Sequence, residues 1–139
     1  MSFLKALFKS KAEKTGIIFI VEDNAMYAAT LKQLLRTRFP QLKEVKTFPV
    51  GETCLMELHR NPDLIIMDYF LDTKYYDAET GIENIKKIRA EKPDMNILVL
   101  SSQTDIEVVL EAMKHYHCSY VKKDDDAFGR VVEIVKDAI

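Results

Sequence analysis

The sequence predicts an α/β protein whose doubly wound parallel sheet is covered by helices on both faces. Two observations predict it. Strand-length apolar runs end abruptly on polar residues at Ile17–Val21 before Glu22-Asp23, at Asp63–Met67 before Asp68, at Asn96–Leu100 before Ser101-Ser102, and at Ser119–Val121 before Lys122-Lys123. Between these runs lie stretches with helical apolar spacing and helix-start signals. Unbroken apolar runs suit parallel strands buried on both faces. Ligands of an open parallel sheet gather at the carboxyl ends of its strands. The acidic pair, the lone aspartate, the hydroxyl and the lysine should therefore meet in one pocket. Such a set can hold a hard divalent cation and accept a phosphoryl group.

Taken in order, Asn24 can cap a helix that runs through Arg38 and turns Ala28, Leu31, Leu34 and Leu35 inward. Pro40 stops it. Val45 to Phe48 reads as a short strand, and Val50 to His59 as a helix with Cys54, Leu55 and Leu58 inward. Asn61-Pro62 ends that helix and prepares the central strand. Thr80 and Glu83 form a capping-box pattern before a helix carrying Ile82, Ile85 and Ile88. Thr104 and Glu107 repeat it before Ile106, Val109, Leu110 and Met113. The last helix follows the acidic run Asp124 to Asp126, whose charge suits a helix amino terminus, and carries Phe128, Val131, Val132, Val135 and Ile139. Five strands then alternate with five helices. Right-handed crossovers and the flavodoxin-like strand order 2-1-3-4-5 make strands one and three neighbours, which brings the acidic pair beside Asp68.

With 139 residues the chain suits one domain with a real core and is too short for two comfortable ones. It is 47% hydrophobic and 30% charged with a net charge of −2, ordinary values for a soluble globular protein. No nucleic-acid affinity follows from that balance. Cys54 and Cys118 lack zinc-ligand or CxxC spacing, and reduced thiols in a cytoplasmic protein are the expectation. His115, His117 and Cys118 are too close together along the chain to converge readily as tetrahedral ligands. Residues 1–16 differ from the rest: Phe3, Leu4, Leu7 and Phe8 alternate with Lys5, Lys9, Lys11 and Lys14. They form neither a secretory signal nor a transmembrane segment. They read as a basic amphipathic extension, either a simply appended helix or one that touches a membrane surface or a partner.

From Ile17 to Ile139 the chain resembles the receiver domain of two-component response regulators, of the single-domain type. Each motif is weak alone, but four in the right order are specific. The resemblance implies that Asp68 is the phosphoacceptor, Glu22 and Asp23 the acidic pair, Ser101 the hydroxyl, Lys123 the lysine and Tyr120 the switch aromatic. Carboxylates packed closely repel, and Mg2+ suits an oxygen-ligand site completed by phosphate. Asp23 and Asp68 are expected as direct ligands and Glu22 through a water, with the Phe70 carbonyl completing the set as the resemblance implies. Phosphoryl transfer needs positioning and charge neutralisation, here from Lys123 and the metal, with Ser101 donating to the phosphoryl group. Movement of Ser101 would let Tyr120 turn inward and remodel the face of helix four, strand five and helix five. Tyr120 reads equally as a core residue. Implied partners are a sensor histidine kinase or histidine phosphotransfer protein and a downstream protein on that face, with a homodimer as a further option. No linker follows the last helix, so no output domain is expected.

The chain departs from the family pattern in places. Glu22 replaces the commoner aspartate. The loop 72–80 after Asp68 is long, and reads either as an exposed insertion or as a lid or partner contact. Asp124 follows the lysine where proline is common, so a trans peptide is expected. Tyr116 stands where glycine commonly ends helix four, and a left-handed tyrosine would be strained, so that helix should terminate differently. Phe70 and Gln103 flank the path of hydrolytic water, and the apolar Phe70 predicts a long-lived phosphorylated state. Two other classes compete. An aspartate-nucleophile phosphatase of the haloacid dehalogenase type needs a second aspartate where Phe70 stands. A pseudo-receiver would not need the intact set Glu22, Asp23, Asp68, Ser101 and Lys123.

Overall fold

In the computed structural model, residues 14–69, 81–102, 110 and 113–139 are described. The strands β1 (Ile17–Val21), β2 (Glu44–Phe48), β3 (Leu64–Asp68), β4 (Ile97–Ser101) and β5 (Ser119–Lys122) form one parallel sheet in the order β2-β1-β3-β4-β5. This is the predicted flavodoxin-like topology. The helices are α1 (Ala25–Arg38), α2 (Gly51–Leu55), α3 (Gly81–Glu91), a stretch over 113–116 that is α4, and α5 (Ala127–Ala138). The N-terminal extension through residue 13, the loop 72–80, Phe70, Gln103 and the Thr104 capping box lie outside the described residues.

Every residue of β3 and β4 is buried, as unbroken apolar runs require of central strands. Alternation along the strands feeds two cores. Ile18, Ile20, Leu64, Ile66, Leu98 and Leu100 pack with Leu31 and Leu35 of α1 and Val131 and Val135 of α5. Phe19, Val21, Ile65, Met67, Ile97 and Val99 pack on the other face with Cys54, Ile85, Ile88 and Met113. Each fully buried aliphatic side chain contributes about 1.5–3 kcal/mol. The two layers cover both faces of the sheet. No described helix is long and apolar enough to cross a membrane.

Asn24 caps α1 as expected, its Oδ1 accepting from Tyr27 N at 2.9 Å. The helix expected over Val50 to His59 is shorter. It ends at Leu55, and a 3-10 turn over Leu58–Arg60 carries the chain to Asn61 at φ 54°. The residue before Pro62 is pushed out of the α region, and i to i+3 bonds such as Asn61 N to Leu58 O, 2.9 Å, satisfy the last carbonyls. Cys54 and Leu58 still point inward, both fully buried.

α4 terminates as the absence of glycine suggests. The left-handed residue is His117 at φ 54°, one place beyond Tyr116, and its N–H donates to Met113 O at 2.8 Å. Arg89 reaches over from α3, with Nε donating to Tyr116 O at 2.7 Å and Nη2 to His117 O at 3.3 Å. A guanidinium thus covers carbonyls that the helix leaves open. The described residues contain no cis peptide, so the bond from Lys123 to Asp124 is trans. At the opposite end of the sheet, buried Asp63 accepts from Thr15 N and Gly16 N, each at 2.8 Å, and fixes where β1 begins.

Candidate functional site

The register brings the predicted residues to one edge. Val21 pairs with Met67, so Glu22 and Asp68 leave neighbouring strands side by side. Asp68 in turn pairs with Leu100, and Ser101 follows. Lys123 lies just past β5, with its N–H donating to Ser101 O at 2.9 Å. Carboxylate oxygens of Glu22, Asp23 and Asp68 lie within 4.8 Å of one another. Four separate stretches therefore meet.

Burial makes this cluster electrostatically demanding. Glu22, Asp68 and Ser101 are all buried, and Asp23 is partly exposed. The Lys123 ammonium forms an ion pair with Glu22 Oε1 and stands 3.4 Å from Asp68 Oδ2. Burial raises the Glu22 carboxyl above its ordinary pKa, and its hydrogen bond with Asp68 pushes the same way against the opposing pull of Lys123. Burial by itself lowers Lys123, but the hydrogen bond to Glu22 and the charges of Asp68 and Glu22 outweigh it and raise the ammonium.

One atom is left over. Glu22 Oε2 is buried without a hydrogen-bond partner. A buried carboxylate oxygen in that condition is costly unless a cation or water completes it. Three carboxylates with an uncommitted inner oxygen fit Mg2+, a hard ion that takes oxygen ligands and retains waters.

Tyr120 pairs with Val99 and packs partly buried against the second core, its hydroxyl buried without a hydrogen-bond partner. Burial raises that phenol, and Asp124 adds to the shift. The Phe70 carbonyl lies outside the described residues. One neighbour of the site was not anticipated. Tyr27 of α1 lies with its ring centroid 4.4 Å from Lys123 Nζ. The signal was its place four residues before Leu31 on the inner face of α1, close after the acidic pair.

The sequence and the fold both have relatives among known proteins. A profile of the response regulator receiver domain matches residues 18–135. Regulatory protein LuxO of Vibrio vulnificus is 29% identical over 121 residues, covering 86% of this chain and 25% of LuxO. Transcriptional regulatory protein DegU of Brevibacillus brevis is 28% identical over 120 residues, covering 86% of this chain and 48% of DegU. The chain thus spans a quarter to a half of the length of these curated relatives. Among solved structures, the response regulator DrrB of Thermotoga maritima superposes with a TM-score of 0.69 at 25% identity, covering 86% of this chain and 50% of that one. A response regulator receiver protein from Pseudomonas putida does so with a TM-score of 0.71 at 26% identity, covering 87% and 95%. By the match of its sequence and the order of its strands, this chain belongs to the response regulator receiver domain family.

Proposed function

We propose that the chain is a phosphorylation-controlled signalling module in which Asp68 accepts a phosphoryl group from a phosphohistidine of a sensor kinase or phosphotransfer protein. A carboxylate oxygen of Asp68 forms the new P–O bond as the P–N bond to the donor imidazole breaks. The imidazole keeps the electron pair and takes a proton from solvent. The product is an acyl phosphate with more negative charge than the carboxylate it replaces. The observation that carries this reading is the Lys123 ammonium 3.4 Å from Asp68 Oδ2, poised over the oxygen that would be modified.

Glu22, Asp23 and Asp68 would hold Mg2+, with the Phe70 carbonyl as a further ligand. When bound, the ion would supply charge neutralisation to the phosphoryl oxygens. Lys123 orients and neutralises the phosphoryl group from the other side. Ser101, at the end of β4, donates a hydrogen bond to it. Movement of Ser101 alters the packing of Tyr120 on β5, and the signal is a population shift of the face formed by α4, β5 and α5. A downstream protein reads that face. The setting is cytoplasmic, where such kinases deliver phosphoryl groups.

Incubation with magnesium and acetyl phosphate, followed by intact mass, tests the reading. A single phosphoryl adduct that disappears in Asp68→Asn supports it. Turnover of an added phosphoester would favour a phosphatase, and no adduct would favour a binding-only pseudo-receiver.

A further inference from the structure

Lysine is a poor instrument of position. Its ammonium rides on a flexible four-carbon stem and, unlike a guanidinium, imposes no planar geometry on its partners. At Lys123 that freedom is removed from three sides. Glu22 holds the ammonium by an ion pair, Asp68 Oδ2 lies 3.4 Å away, and the Tyr27 ring covers it with its centroid 4.4 Å from Nζ. The ring is itself held. Phe128, in the first turn of α5, meets it edge-on with centroids 5.3 Å apart at an interplanar angle of 60°. Tyr27 also packs against the core under α1. Its hydroxyl is buried and makes no hydrogen bond, so the ring is placed by packing and not by the phenol.

We propose that Tyr27 is a positioning residue for Lys123, its aromatic face keeping the ammonium within reach of the oxygen on Asp68 that accepts the phosphoryl group. An ammonium over an aromatic face is attracted by the ring quadrupole, and the attraction grows when water is excluded. Only 16% of the Lys123 side chain is exposed, which places it toward the stronger end. The ring has a second effect. It occupies the side of the ammonium on which water would otherwise compete with the phosphoryl group. Unlike a third carboxylate there, it adds no negative charge to repel the incoming anion. This role rests on the reading of Asp68 as phosphoacceptor.

The test uses the full chain with Mg2+ and beryllofluoride, comparing wild type, Tyr27→Phe and Tyr27→Leu, with thermal melts confirming that each variant folds. The proton resonance of the Lys123 ε-methylene, shifted by the ring current, reports the position of the lysine without any adduct. Tyr27→Phe should retain both that shift and the wild-type beryllofluoride affinity, because the hydroxyl is not engaged. Tyr27→Leu should lose the shift and weaken affinity roughly threefold to tenfold. In a Lys123→Ala background, Tyr27→Leu should have no further effect. The role is overturned if Tyr27→Leu binds beryllofluoride as wild type does, if Tyr27→Phe is as impaired as Tyr27→Leu, or if the loss persists without Lys123. A wild-type protein that takes no beryllofluoride would instead sink the phosphoacceptor reading, and this role with it.

Discussion

The Lys123 ammonium is shared between two buried carboxylates, paired with Glu22 and 3.4 Å from Asp68. Removing it leaves two adjacent negative groups without that counter-charge. Deleting one partner of a fully buried pair costs about 3–5 kcal/mol, and the partial exposure of Lys123 reduces this to about 2 kcal/mol. Lys123→Ala should therefore lower the urea midpoint in EDTA, and Glu22→Gln in that background should recover part of the loss. An unchanged midpoint would mean that solvent already screens the pair.

Magnesium should stabilise the folded chain through the carboxylates that repel one another without it. At a hundredfold excess over its Kd, a ligand that binds only the folded state adds about 2.7 kcal/mol. Wild type should show a magnesium-dependent rise in melting temperature. Asp23→Asn and Asp68→Asn should need far more magnesium for the same rise. Equal titrations in all three proteins would rule out this carboxylate set as the site.

The strands could be read from the sequence because central parallel strands are apolar on both faces, and runs such as Leu64 to Met67 and Ile97 to Leu100 are too short for a buried helix and end on polar residues. Their polar ends told which side chains, Glu22, Asp23, Asp68 and Lys123, gather at one edge. What could not be read was the detail of who holds whom. A lysine at a strand end does not announce that Glu22 is its ion-pair partner. Tyr27 falls outside the set Ala28, Leu31, Leu34 and Leu35 that the apolar spacing of α1 picks out. The end of α2 at Leu55 was hidden because Cys54 and Leu58, four apart, would face the core in an unbroken helix as well. The role of Arg89 has no mark in the sequence, since its partners are backbone carbonyls, two of them 27 and 28 residues along the chain.

That arginine carries a prediction. Its guanidinium donates to the carbonyls of Tyr116 and His117, to Pro93 O at 3.2 Å and to Met95 O, tying α3 to the loop before β4 and to the end of α4 and the turn before β5. Hydrogen bonds from a charged donor contribute about 1.5–3 kcal/mol. Arg89→Ala should cost about that much in urea unfolding and accelerate amide exchange at Ser119 and Tyr120. Arg89→Lys should recover only part, because one ammonium cannot span carbonyls held by a planar fork. Exchange that accelerates uniformly would show that the arginine is not a local tie.

Cys54 gives a pH dependence away from the carboxylates. Burial pushes its thiol up to about 12 from 9.0, with Glu57 adding to the shift. Between those values the unfolded chain has shed the thiol proton while the folded chain keeps it. The folded state then binds more protons, so stability is intact below about pH 9 and falls as pH rises. Wild type should therefore lose urea stability between pH 8 and about 10.5 faster than Cys54→Ala, with parallel behaviour below pH 8. Under native conditions iodoacetamide should modify the partly buried Cys118 before Cys54.

Two glycines in helices make opposite predictions. Gly81 opens α3, and its N–H donates to Tyr69 O at 3.0 Å. A Cβ there would lie 2.3 Å from that same oxygen and 2.8 Å from Tyr69 Cα. These are backbone atoms and cannot swing aside. Tyr69 directly follows Asp68 and donates to Leu100 O at 2.9 Å, so any shift passes to the end of β3. Gly81→Ala should cost about 1–3 kcal/mol, as overpacking does, and also weaken beryllofluoride binding. At Gly129, in α5, an added Cβ meets nothing within 4 Å. Gly129→Ala should instead stabilise the chain by about 0.5–1 kcal/mol, because alanine loses less backbone freedom in a helix, and it should leave beryllofluoride affinity unchanged. Paired melts and adduct titrations distinguish the cases. If Gly81→Ala is as benign as Gly129→Ala, then α3 can withdraw from Tyr69, and its contact with Gly81 does not hold the end of β3 in place.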